Sequence, residues 1–472
     1  MNAQVIVVGG GASGMMAAGR AAELGADVLL LEKTPRLGNK LRITGKGRCN
    51  LTNEADVKAF IAHFGPNGRF LHGVFSRFFT DDLRGFFAQR GVPTVVERGG
   101  RVFPESSEAD DVADALRRYC LQSGARVRHK AGVGRLLIRE GRIAGVAVSE
   151  AEYYAPAVIL ATGGASYPGT GSSGDGYRLA ASVGHTIVPI RAALVPLETA
   201  EPWVPRMMGV SLRNVRATLY VDGKPVGSEF GEMLFTHFGV SGPIILTLSK
   251  HAVVGARHSP QSLPHSERLA TAQTSADDRL PGNASPLQSL PHAERLATAQ
   301  TSVDGRLPGN ASPLPNTQIS VDLKPALSDD ILDARLRRDL DTHGKQAFRT
   351  LVKGLVPAKM VDVLVELSGV PPDKPAHQVS ARERAALFAL LRDLRMTVTR
   401  QRPLSEAIIT AGGVALDEVD PRTLQSRRVP GLYLCGEVLD LDADTGGYNL
   451  QMAFSTGWVA GESAARSATG SP

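Results

Sequence analysis

The run Val5-Ile6-Val7-Val8-Gly9-Gly10-Gly11-Ala12-Ser13-Gly14, answered by Val28-Leu29-Leu30-Leu31-Glu32, decides the fold. A short apolar strand, a glycine turn, a helix over about Ser13 to Leu24 and a second apolar strand ending in an acid make the βαβ unit that binds a dinucleotide. Gly9 permits the tight turn, Gly11 lets backbone approach a pyrophosphate, and Gly14 lets the helix lie close on the sheet. The helix points its free N–H groups and positive dipole end at the phosphates. Glu32, at the end of the second strand, can accept hydrogen bonds from ribose hydroxyls and would repel a 2′-phosphate.

Near the other end of the chain, Gly431-Leu432-Tyr433-Leu434-Cys435-Gly436-Glu437 is followed by Gly446-Gly447-Tyr448-Asn449. The first block suits an ADP moiety and the second suits a flavin, so both ends are expected to build one site. An acid after Gly436 can bind a ribityl hydroxyl. A helix starting near Tyr448-Asn449-Leu450 offers positive potential to the pyrimidine end of the ring, where reduction places negative charge.

The 472 residues imply two or three domains, and 21% charged with 43% hydrophobic residues is ordinary globular composition. Fifty glycines gather at strand-to-loop junctions. The formal charge is +6 with a pI near 9.2, but the cations are spread through the chain and no nucleic-acid motif accompanies them. Three widely separated cysteines (Cys49, Cys120, Cys435) argue against a disulfide framework or zinc site and suit a reducing cytosol. No apolar stretch approaches the roughly 20 residues that cross a bilayer. A cytoplasmic protein is expected.

The section to about Arg191 reads as the first part of a doubly wound α/β domain with a small antiparallel layer. It has a helix over Asp110 to Ser123, a strand over Arg126 to His129, a hairpin over Val133 to Val148, and a buried strand Ala157-Val158-Ile159-Leu160-Ala161 ending in Thr162-Gly163-Gly164. Residues 192–325 read as a β-barrel insert, with strands over Leu194 to Leu197, Val215 to Val221, Glu232 to Phe235 and Ile319 to Asp322, and a barrel edge after Leu246 to Ser249. Residues 326–402 read as a helical insert, and 403–472 return to the first domain. Gln261 to Leu287 and Gln288 to Leu314 are near-identical copies, rich in Pro, Ser, Gln and Asn, and read as a duplicated disordered insertion. His265 and His292 within them read as repeated passengers rather than metal ligands.

Two further segments carry polar chemistry. Arg42-Ile43-Thr44-Gly45-Lys46-Gly47-Arg48-Cys49-Asn50-Leu51-Thr52-Asn53 can cradle a diphosphate and ribityl chain through glycine-permitted backbone donors. Cys49 reads as a packed residue before a redox thiol. Tyr167-Pro168-Gly169-Thr170-Gly171-Ser172-Ser173-Gly174-Asp175-Gly176-Tyr177 leads into a helix for which Asp175 is the expected cap. Asp440, Asp442 and Asp444 give an incomplete metal-ligand pattern, and no metal is expected.

The N-terminal fingerprint, Thr44 to Asn53, Ala161-Thr162-Gly163-Gly164, Thr410-Ala411-Gly412-Gly413-Val414, Gly436-Glu437 and Asp444-Thr445-Gly446-Gly447-Tyr448-Asn449-Leu450-Gln451 together resemble the bacterial HI0933-like flavoproteins. That group includes aminoacetone oxidase family enzymes and a bile-acid reductase. The resemblance implies a Rossmann-like FAD domain interrupted by a barrel and a helical module, with noncovalent FAD. It maps the cofactor site onto Gly9, Gly11, Gly14 and Glu32, and onto Gly436, Glu437, Gly447 and Asn449. With these go Ala12, Ser13, Lys33, Asn39, Lys40, Arg48, Cys49, Asn50, Val133, Ala161, Thr162, Gly163, Asp175 and Leu450. The expected activity is an FAD-dependent oxidoreductase, with NAD(P)H as donor to a small organic substrate. An oxygen-using amine oxidase and an FAD protein acting on RNA are the alternatives. Tyr167, His237, Arg48 and Arg402 are the candidates for a catalytic acid, by chemistry and by nearness to glycine turns.

Overall fold

The computed structural model describes residues 2–252 and 316–470; the duplicated segment 261–314, with His265 and His292, lies outside the described residues. Five parallel strands form the central sheet in the order Leu432–Leu434, Ala157–Leu160, Val5–Val8, Val28–Leu31, Arg126–Arg128. Every residue of the three inner strands is buried. That is why they read as unbroken apolar runs instead of alternating patterns. The outer strand Leu432–Leu434 joins from the far end of the chain, with Ile159 beside Tyr433.

The first helix, Ala12–Glu23, packs lengthwise on the last, Tyr448–Thr469. Gly457 and Gly461 make this approach possible, since a Cβ at either would stand 2.4 Å from the backbone oxygen of Ser13 or of Ala17. A third helix, Ala109–Gln122, flanks the first. A meander of Arg135–Arg139, Arg142–Val148 and Ala151–Tyr154 packs on the strand Ala157–Leu160. Its hairpin turns at Glu140 and Gly141, both left-handed, a turn that suits the natural twist of paired strands.

Six strands close a barrel in the order Leu197–Thr199, Gly239–Ser241, Lys224–Phe235, Ser211–Val221, Thr317–Asp322, Leu394–Gln401. The last of these pairs with both Thr317–Asp322 and Leu197–Thr199, so residues counted above with the helical insert supply the closing strand. The expected strand over Leu194 to Leu197 is broken: Leu194 has φ 54°, and the chain passes there from the strand Ile187–Ala193 towards Leu197–Thr199. Leu246 to Ser249, ahead of the expected edge, lie in a helix, Pro243–Ala252. An apolar run such as Ile244-Ile245-Leu246-Thr247-Leu248 fits either state, and Pro243 at the first position favours the helix. Ile244, Ile245, Leu248 and Ala252 bury against the barrel.

Four helices (Asp329–Thr342, Phe348–Lys353, Ala358–Ser368, Ala381–Arg392) share one buried cluster with the barrel. The chain crosses from the parallel-sheet domain into the barrel along Ile187–Ala193 and returns along Ile409–Val414. These two crossings pair with each other as an antiparallel ribbon.

Candidate flavin cradle and active site

At the end of the first strand Gly9 has φ 103°, and a Cβ there would meet the Ala161 oxygen at 2.5 Å. A Cβ on Gly14 would stand 1.8 Å from the Gly9 oxygen. Gly11, by contrast, faces open space, with nothing among the described residues within 4 Å of an added Cβ. It is also the N-cap of the first helix, and no side chain caps that terminus. Open room in front of uncapped N–H groups is what a pyrophosphate needs. Ala12 and Ser13 form the first turn there.

Glu32 is buried, and its carboxylate accepts the Gly10 N–H at Oε2 and the Thr34 N–H at Oε1, both at 2.7 Å. Each oxygen keeps a second lone pair for a ribose hydroxyl. Around it, Lys33 bonds Asp175 at 2.7 Å and also Ser173, while Asn39 donates to Thr34 at 3.1 Å. Val133 is buried next to Gly132, which lies against Lys33. Asp175 is therefore a lysine partner and not a cap: the N-cap of the helix Asp175–Ala181 is Gly174, in the left-handed region. Burial raises the Asp175 carboxyl, but its bonds to Lys33 and Ser173 outweigh that and hold it low.

The second block folds onto the first. Gly436 has φ 75°, and a Cβ there would touch the Ser13 hydroxyl at 2.5 Å. Glu437 receives Lys40 at 2.7 Å, the Thr410 N–H at 2.8 Å and the Ser166 hydroxyl at 3.2 Å. Lys40 also bonds Ser166 at 2.7 Å, so residues far apart in sequence are tied to one carboxylate. Gly447, at φ 99°, N-caps the last helix without side-chain help, and a Cβ there would lie 2.3 Å from the Thr52 oxygen. Asn53 donates to the Gly446 oxygen at 3.2 Å. Asn449 spends its side chain on the Ala443 N–H and on the Ala443 and Asp444 oxygens, so it staples the preceding loop. Leu450 beside it is half-buried.

Buried polar atoms without partners mark the remaining cradle. Among the described residues, Asn50 Oδ1, Thr162 Oγ1 and Gln451 Oε1 are buried and find no hydrogen-bond partner. They lie in or beside the loop after Arg48, the Ala161-Thr162-Gly163 turn and the last helix. Orphaned atoms of this kind call for a ligand's donors. These residues fit an FAD. Gln451 carried no role in the sequence reading; it is fully buried, and its orphaned acceptor is visible only once the helix is in place.

The acid candidates divide. Arg48 is paired with Glu97 and lies 4.3 Å over the Phe103 ring, on the small sheet of Thr52–Asn53, Arg101–Pro104 and Thr94–Glu97. Arg402 is held bidentately by Glu406 at 2.9 and 2.6 Å and by Glu198 at 2.6 Å, which raises it further above its usual range. Its guanidinium stacks 4.7 Å over Phe238, whose ring meets the exposed His237 edge-on. Tyr167, left-handed at φ 52°, has its phenol raised by burial and then by the Glu406 charge. Tyr167, Arg402 and His237 are thus linked through Glu406 and Phe238, and Arg48 stands apart from them. Cys49 is fully buried and its thiol is pushed up to about 12 by burial, which removes the redox-thiol reading.

A second charged group was not legible beforehand. His63 bonds Asp444 at 2.9 Å and stacks 3.9 Å from Tyr448, while Lys250 reaches Asp442 and Asp444 at 3.2 Å each. Asp440 takes the Asn67 amide at 3.0 Å. The aspartates that suggested a metal loop are engaged by side chains of this chain. Single polar residues without a motif gave no signal for it.

The family model for the HI0933-like protein Rossmann domain matches residues 3–463. A 3-dehydro-bile acid Δ(4,6)-reductase of Clostridium scindens is 29% identical, over 97% of this chain and 98% of that protein. A ribosomal RNA dihydrouridine synthase of Escherichia coli is 26% identical, over 96% of each. The solved structure of a 3-ketosteroid Δ1-dehydrogenase from Sterolibacterium denitrificans superposes with a TM-score of 0.50 at 14% identity, covering 99% of this chain and all of that one, a likeness of fold. Among the described residues no helix is long and apolar enough to cross a membrane.

Proposed function

The chain belongs to the HI0933-like family of FAD-dependent oxidoreductases, and from that membership we propose that it reduces a carbonyl-conjugated carbon–carbon double bond of a small molecule, with NAD(P)H as donor. The observation that supports its FAD half is the cradle: an uncapped helix N-terminus faces open space at Gly11, the second glycine block packs on the first at Gly436 and Ser13, and Asn50, Thr162 and Gln451 carry buried polar atoms without partners among the described residues. The reductase from Clostridium scindens, whose name describes removal of unsaturation next to a 3-oxo group, supports the substrate class. Three free, buried cysteines suit the reducing cytoplasm in which we expect it to work.

Bound FAD would supply two-electron chemistry, taking hydride from the nicotinamide and passing it on through N5. The protein does the rest. Glu32 and the first helix hold the ADP half, and Lys40, Ser166 and Glu437 fix the turn between the halves. The N-terminus of the last helix favours negative charge on the reduced ring. Hydride arriving at the β-carbon leaves charge on the carbonyl oxygen and the α-carbon, so one proton must follow. Tyr167 is the acid best suited to give it. Its phenol stays protonated through neutral pH, it neighbours Ser166 of the cradle, and its left-handed backbone holds the side chain in a conformation that costs free energy. Arg402, saturated by two carboxylates, orients Phe238 and Glu406 and donates no proton.

Anaerobic mixing tests the reading. NADH or NADPH alone should bleach the yellow holoprotein, and an α,β-unsaturated ketone should restore the colour. Bleaching only by an amine selects the oxidase instead, and recolouring by RNA but by no small enone selects the RNA substrate. Tyr167→Phe should leave bleaching intact and slow recolouring by about 10²–10⁴-fold.

A further inference from the structure

The last helix begins at Tyr448, and the loop leading into it carries Asp442 and Asp444, two carboxylates next to the glycines that meet the pyrimidine end of the ring in the reading above. Left alone, they would oppose the positive potential of that helix end and disfavour an anionic reduced flavin. They are not left alone. Lys250, on the barrel helix Pro243–Ala252, stands 3.2 Å from each of them, and all three side chains are less than one-third exposed. His63, which C-caps the helix Val57–Ala62, bonds the other Asp444 oxygen at 2.9 Å and stacks on Tyr448. Thr247, one turn before Lys250, lies with its hydroxyl 3.4 Å from that of Thr445, a second point of contact between barrel helix and loop.

We propose that Lys250, carried by the barrel, is a positioning residue that balances Asp442 and Asp444 beside the flavin and thereby sets how strongly the bound flavin attracts electrons. The inference rests on the FAD reading and not on the substrate. Glu229, on the barrel strand Lys224–Phe235, belongs to the same group: burial first and the Asp444 charge second raise its carboxyl to about 7. A third full negative charge is therefore only partly developed here at neutral pH. Without the lysine, the reduced form is the one that suffers most, because it carries the added negative charge.

The experiment compares holoproteins of wild type, Lys250→Met, Lys250→Arg, Asp444→Asn and the double variant Lys250→Met/Asp444→Asn, reading the midpoint potential by dye equilibration and FAD affinity by flavin fluorescence. Lys250→Met should weaken binding of reduced relative to oxidised flavin about tenfold, which lowers a two-electron midpoint by about 30 mV. Asp444→Asn should raise it, the double variant should return towards wild type, and Lys250→Arg should match wild type. Opposite signs separate a charge effect from loosened packing, which would move both single variants the same way. Equal signs, or shifts below about threefold, overturn the proposal. Should Lys250→Met lose its flavin, Asp444→Asn and Lys250→Arg still decide, the first by a raised potential and the second by an unchanged one. A wild type that stays yellow but reduces no enone sinks the substrate reading and leaves this one standing; a colourless wild type sinks both.

Discussion

The seam between the first and last helices is made of backbone. Gly457 and Gly461 sit against the backbone of Ser13 and Ala17, each with no room for a single added carbon, and Gly447 at the start of the last helix meets the Thr52 backbone in the same way. The seam between the barrel and the loop before the last helix is made of charge, Lys250 with Asp442 and Asp444 and His63 with Asp444. A backbone seam fixes geometry and has no graded response, because the next larger side chain collides. An ionic seam changes by small steps. On the proposed FAD reading, the first kind serves where the dinucleotide halves must register and the second where the ring's electron affinity would be adjusted.

Substitutions can break this contrast. Gly457→Leu should have the largest effect, since overpacking costs about 1–3 kcal/mol or more and here displaces backbone that faces the pyrophosphate. Low flavin content and a lowered melting temperature are expected, and a yellow variant melting like wild type would refute the glycine seam. Glu32→Ala comes next: losing charge-assisted bonds of about 1.5–3 kcal/mol should weaken FAD binding roughly 10- to 100-fold by fluorescence titration.

Buried charge within the parallel-sheet domain sharpens the contrast through pH. His185 is buried, with one ring nitrogen 2.9 Å from Glu418 and the other 2.8 Å from Ser426. Burial raises Glu418, but hydrogen bonds from Arg428 and Thr186 prevail and hold it at about 2; burial lowers His185. Both pKa values lie below their unfolded ones, so the unfolded chain takes up protons first as pH falls. Stability should decline below about pH 6.5 from His185, and further from 4.5 towards 2 from Glu418. Melting temperatures from pH 7 to 4 should fall, less steeply in His185→Gln; a flat wild-type profile would count against it. Least affected should be the melting temperature of Lys250→Met, because partly exposed ion pairs contribute about 0.2–1 kcal/mol. A large loss of stability there would make the barrel seam structural.

The parallel sheet and the two glycine blocks were legible because their signals are local: an apolar run of strand length, a turn only glycine can make, an acid at a fixed distance. Helix bounds such as Ala109–Gln122 fell within a residue of expectation. The barrel was legible as a class but not in its closure, since Leu394–Gln401 follows a helical module and its partner Leu197–Thr199 lies almost two hundred residues earlier. Helix Pro243–Ala252 is not legible because its apolar run has no decisive period. Asp175 was read as a cap because acids before helices commonly are, and only the fold brings Lys33 to it. His63 and Lys250 were illegible for the same reason: each acquires meaning through a neighbour contributed by another element.

The pairing of Ala12–Glu23 with Tyr448–Thr469 also constrains how the protein is made. During synthesis the nucleotide-binding helix emerges early, yet its partner and the outer strand Leu432–Leu434 appear only after more than four hundred residues have been translated. The barrel and its helical module can gather their own shared core in the meantime, while the nascent first βαβ unit waits with an apolar flank uncovered. Cofactor capture should therefore follow translation, and a chain stalled before the last helix should depend on chaperones and remain colourless.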